Sequence, residues 1–205
     1  MLFKMSRLLS SDNLLKRFVG LYSLGLLLFF GFWLISYYFL PEGILRNISL
    51  LGRLAGETAA ETANQECIQI FSLNLVGWAF ILIGNYVLKV KYFSYGYLVP
   101  LAWMIMYAIT LGTNSFNIPM ETRMTVSLSV FKRSGLWEMM AACLFAVATD
   151  TISANKSDNL FQESKPIPRK ERPSFKREQL VAIILSMLIL AAAALHEAYM
   201  IVNIR

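Results

Sequence analysis

Three carboxylates stand inside apolar runs of this chain: Glu197 within Leu195-His196-Glu197-Ala198-Tyr199, and Glu138 and Asp150 within a second run. A charge near the centre of a bilayer costs about 2.5–3.5 kcal/mol on insertion scales, so an acid at that depth implies a partner or a task. Two chemistries fit. A hydrogen-bonded acid clamps neighbouring helices, whereas an acid that exchanges its proton lines a path for protons or cations. A metal site is not expected, because His196 is the only histidine and adjacent residues of a helix point to different faces.

The elements that must carry these acids follow from hydrophobicity. The chain has 205 residues, 57% of them hydrophobic, and five stretches approach the roughly 20 residues that cross a hydrocarbon core. They are 18–40, 68–88, 95–113, 135–154 and 179–202. The expected fold is therefore all-α: a polytopic membrane helix bundle of five transmembrane helices, forming one domain over 18–205 behind a cytoplasmic tail, 1–17. The first stretch exceeds a signal-peptide core and no small-residue cleavage site follows it, so it is read as a retained helix. Cys67 and Cys143 lack metal-ligand spacing and are expected to be unpaired.

The net charge of +6 matters less than its placement. Lys4, Arg7, Lys16, Arg17, Lys89, Lys91, Lys156, Lys165, Arg169, Lys170, Arg172, Lys176 and Arg177 fall on one side of a five-span chain. Arg46, Arg53, Arg123, Lys132, Arg133 and Arg205 fall on the other. This bias predicts a cytoplasmic N-terminus and an external C-terminus in the cytoplasmic (inner) membrane. Cationic loops facing an anionic lipid surface make nucleic-acid binding an unnecessary explanation.

Orientation then sets depth. Asn74 in span two, Glu138 in span four, and His196 and Glu197 in span five all fall in the outer third of the membrane. They form a candidate intramembrane polar cluster, structural or proton-handling. Glu138 and Glu197 could share a proton, since two neighbouring carboxylates do not readily both ionise in a low-dielectric site. Asn85 and Asp150 form a candidate second layer on the cytoplasmic side.

The remaining segments carry weaker signals. The Ala- and Thr-rich stretch 55–63, with Glu57 and Glu61 four apart, predicts a short external helix. The loop 155–178, rich in Pro and charge, reads as a flexible cytoplasmic linker. Pro100 predicts a bend in the third span. Gly20, Gly25 and Gly31, like Ala141, Ala142, Ala146 and Ala148, permit close helix approach, and the patch Ala191 to Ala194 suggests that span five is central. Tyr37, Tyr38, Tyr92, Tyr95, Tyr97 and Tyr199 read as interfacial belt residues. No Gly-x-Ser-x-Gly, phosphate-binding loop or His-Glu-x-x-His occurs, so neither an enzyme nor a self-contained primary pump is expected, and no cofactor.

Three segments together resemble the stage II sporulation protein M family, small and mostly five-span integral membrane proteins. Ile70-Phe71-Ser72-Leu73-Asn74-Leu75 is similar to that family's Phe-x-x-Asn signal, with Leu73 where a second Asn often stands. Gly135-Leu136-Trp137-Glu138 is similar to its His-Gly-x-x-Glu segment, with Ser134 in the place of the His. Ala193-Ala194-Leu195-His196-Glu197-Ala198-Tyr199 is similar to its closing run. No imidazole role carries over to Ser134. The resemblance implies a non-enzymatic membrane scaffold or assembly component that organises partner proteins. The alternative is a permease-like transporter subunit whose carboxylates handle a proton or cation. Expected partners are the lipid bilayer and other membrane or envelope proteins, either a hydrolase-type partner or a separate ATPase subunit, with a homo-oligomer also allowed.

Overall fold

The computed structural model describes residues 8–46, 60–115, 131–159 and 162–203. The chain is mostly helical, with a small sheet at one end. The described residues form five long α-helices, in chain order α1 (Leu14–Phe39), α2 (Ala63–Val87), α3 (Leu98–Gly112), α4 (Leu136–Ala148) and α5 (Arg177–Asn203). Among the described residues four segments are long and apolar enough to cross a membrane: α1, α2, α5, and α3 together with the 3-10 turn Tyr95–Tyr97 that leads into it. Their outward residues, such as Val76, Phe80, Ile83, Ile184 and Leu188, are large, apolar and exposed. That is what a helix facing lipid requires.

The fourth expected span differs. In place of a helix over 135–154, α4 has 13 residues, a rise of about 20 Å against a hydrocarbon core of about 30 Å. A π turn, Phe131–Gly135, precedes it, and a 3-10 turn, Asp150–Ile152, follows Thr149. From Ala141 to Ala148 every side chain is buried, and α4 touches each of the other four helices. It is the central helix of the bundle, a place expected for span five. Small Ala side chains let neighbours close in from all sides. In α5, by contrast, Ala191 and Ala192 are exposed and only Ala193 and Ala194 face inward.

The most extensive pairing is α1 along α3. A Cβ at Gly25 would run into Met104, and one at Gly112 would strike Ser36 Oγ, with Trp33 O only 2.8 Å away. Gly20 likewise packs on Leu8, but Gly31 faces open space and brings no helix closer. Pro100 falls in the first turn of α3, where the missing N–H would have no helical partner anyway. It helps start the α-helix after the 3-10 turn and does not break its interior.

The loop expected to be a flexible linker is instead partly ordered. Strand β1 (Lys89–Val90) turns through Lys91 and Tyr92 into β2 (Phe93–Ser94), and both belong to a four-stranded sheet of order β2-β1-β3-β4 with β3 (Asn155–Ser157) and β4 (Lys165–Pro166). β1 runs antiparallel to β2 and parallel to β3, and β3 runs antiparallel to β4. The same segment closes the end of α2: Ser153 Oγ donates to Asn85 O (2.6 Å), Ala154 N to Tyr86 O (2.6 Å) and Asn155 Nδ2 to Val87 O (2.8 Å). The carbonyls of a last helical turn have no intrahelical partner, so these three bonds fix the segment to the bundle.

Most of the expected external helix at 55–63, Glu57 included, lies outside the described residues. Its last residues instead begin α2, with Thr62 as N-cap accepting from Gln65 N (3.3 Å). Cys67 and Cys143 are free, as expected.

Candidate functional site: two polar layers

At one end of the bundle the chain gathers the starts of α1, α3 and α5 and the ends of α2 and α4. Asp150, wholly buried just past α4, is the hub. Its Oδ2 accepts from Arg17 Nη1 at 2.7 Å, Lys89 Nζ at 2.9 Å and the Tyr97 hydroxyl at 2.9 Å. Desolvating a carboxylate costs several kcal/mol, which only good geometry with charge-assisted bonds offsets. Three donors on Oδ2 supply such bonds, while Oδ1 is buried without a hydrogen-bond partner, and they tie α1, the β1 strand and the entry to α3 to the end of α4.

Beside it Asn85, also fully buried, donates to Ala146 O and Thr149 Oγ1, both at 2.8 Å. Gln179 in the first turn of α5 donates to Ala148 O (3.0 Å) and Thr151 Oγ1 (3.1 Å). Asn85 and Asp150 thus share a layer, as their depth suggested, linked through Thr149 rather than to each other. The sequence reading missed Arg17, Lys89, Tyr97, Thr149 and Gln179. Arg17 and Lys89 passed for topogenic charge and Tyr97 for a belt residue, although Tyr97 is fully buried. Their common end of the bundle was the available signal.

At the opposite end the structure brings together three of the four expected residues. Asn74 Nδ2 donates to Ile70 O (3.0 Å) in its own helix and, at a long 3.4 Å, to Glu138 Oε1. The Glu138 carboxyl in turn lies close to that of Glu197. Two carboxyls this close in a low-dielectric site do not readily both ionise, which favours one shared proton. Helix α2 starts at Ala63 instead of Ile68, which puts Asn74 near the middle of that helix, deeper than expected. Asn74 is buried, while Glu138 and Glu197 are partly covered.

His196 lies on the exposed side of α5 and does not join the cluster. The helical turn explains this, since adjacent side chains diverge by about 100°. Among the described residues no three His, Cys, Asp or Glu side chains are grouped so as to hold a metal ion. The entry to α4 is braced by Tyr22, whose hydroxyl donates to Leu136 O (3.0 Å), and by Phe131 stacked on Phe29 at 3.9 Å between ring centroids. Comparison with family models, curated proteins and solved structures finds no match to this chain.

Proposed function

We propose that this chain is a non-enzymatic scaffold or assembly protein of the cytoplasmic membrane, similar to the stage II sporulation protein M family. In this reading it crosses five times, with α4 as an inner pass shielded from lipid by the other four helices. The Asp150 end faces the cytoplasm, placing the N-terminus inside and the C-terminus outside. The sheet and the 162–178 segment lie at that end together with most of the Lys and Arg residues, which agrees with the positive-inside bias.

The observation that carries the scaffold reading is where the polar side chains go. Asn74, Asn85, Gln179 and Asp150 each bond to a neighbouring segment of the bundle. Groups spent in this way hold helices in register. Purification of the tagged full chain in mild detergent tests the reading: a co-purifying envelope hydrolase supports it, and stoichiometric recovery with an ATPase overturns it.

One observation favours a transporter subunit as the second reading, namely the carboxyl pair of Glu138 and Glu197 at a partly covered site. Reconstituted vesicles separate the two. A pH-gradient flux that disappears in folded Glu138→Gln and Glu197→Gln variants would favour the transporter. Orientation is tested by cysteine labelling within 162–178 in a chain with Cys67 replaced, where modification from outside intact cells would reverse the topology.

A further inference from the structure

The Asp150 end carries more positive charge than its carboxylate balances. Both ion pairs found among the described residues use the same oxygen, Asp150 Oδ2, so one buried negative charge faces two cations. The Arg17 and Lys89 side chains are only 13% and 22% exposed. Arg17 Nε is buried with no hydrogen-bond partner. An unbalanced, largely desolvated cation is expensive, and the cost falls if an anion shares the site.

A second observation points the same way. Across the sheet Lys89 is paired with Lys156, and Lys156 with Lys165, so three lysines stand side by side on neighbouring strands. Like charges directly opposite one another destabilise a sheet. Lys156 and Lys165 are exposed, and the acids nearest in sequence, Asp158 and Glu163, are exposed and take part in neither ion pair. Such a row is stable when a polyvalent or phosphate-bearing anion lies against it.

We propose that Arg17, Lys89, Lys156 and Lys165 form a binding site for a phosphate-bearing anion, with Asp150 aligning the two inner cations. The site sits where α1 enters the apolar region, so the phosphate of an anionic lipid headgroup is the expected occupant. A guanidinium and several ammonium groups at a helix-bundle rim are suited to that group. The inference rests on the membrane-spanning reading of the chain and not on the scaffold role.

The test is native mass spectrometry of the full chain from mixed micelles holding equal amounts of phosphatidylglycerol and phosphatidylcholine. The parent should retain phosphatidylglycerol preferentially. The Lys156→Gln, Lys165→Gln double variant alters only exposed side chains and should fold normally while losing roughly tenfold in that preference, the equivalent of one charge-assisted contact. Lys170→Gln, exposed but outside the sheet, should behave like the parent. Equal retention of the two lipids by the parent, or an equal loss in Lys170→Gln, overturns the site. Competition by millimolar inorganic phosphate that lowers the preference in the parent but not in the double variant supports phosphate recognition at these lysines, whereas a parent preference that phosphate leaves untouched overturns it.

Discussion

The two ends of the bundle place polar groups among apolar helices by opposite means. At the Asp150 end unlike charges converge on one oxygen, and amides and hydroxyls close backbone carbonyls around them. At the Glu138 end two like carboxyls meet each other and a single amide at long range. The first arrangement depends on charge and fails when its anion is removed. The second depends on one shared proton, which a neutral amide can replace. Substitutions at the two ends should therefore differ in size and in their response to conservative change.

The largest effect is expected for Asp150→Ala, which strands Arg17 and Lys89 around an empty buried position. Removing one partner from a buried ion pair costs about 3–5 kcal/mol, so the thermal unfolding midpoint in detergent should fall steeply. An unchanged midpoint would mean that the hub does not hold the helix ends. Asn85→Ala comes next. It removes the bonds of a fully buried amide to Ala146 O and Thr149 Oγ1 and leaves a void between α2 and the end of α4, which should cost about 1–3 kcal/mol. Gly96→Ala should do similar damage by a different route, because its Cβ would collide with Asn85 Oδ1. If Asn85→Ala proves as costly as Asp150→Ala, charge is not what distinguishes this end.

Hydrophobic run length made α1, α2, α3 and α5 legible, because a span must be long and apolar whatever surrounds it. It misjudged α4, whose central place comes from small side chains that let four helices approach, a property that run length does not register. Depth counting put Asn85 with Asp150 and Asn74 with Glu138 and Glu197. It could not find Arg17, Lys89 and Tyr97, because charge bias and belt position already explained them, and helix rotation decides whether such residues turn inward. His196 shows the same limit in reverse: it shares the depth of Glu197 but not its face. The sheet left no periodic trace, since its strands have two or three residues and one includes Pro166.

The smallest effects are expected at the Glu138 end, and they bear most directly on function. In Glu138→Gln the amide oxygen can still accept from Asn74 and its NH2 can donate to Glu197. The unfolding free energy should therefore shift by no more than about 1 kcal/mol, whereas Glu138→Ala, which removes the group that Asn74 and Glu197 both face, should cost about 1–3 kcal/mol. Glu197→Gln should match Glu138→Gln, and His196→Ala, on the exposed face, should stay within about 0.5 kcal/mol of the parent. A Gln variant as damaging as Ala would mean that the amide cannot stand in for the protonated pair. Gln variants that keep the parent's stability while a reconstituted pH-gradient flux disappears would instead make this end of the bundle a working site, its carboxyls kept for moving their proton.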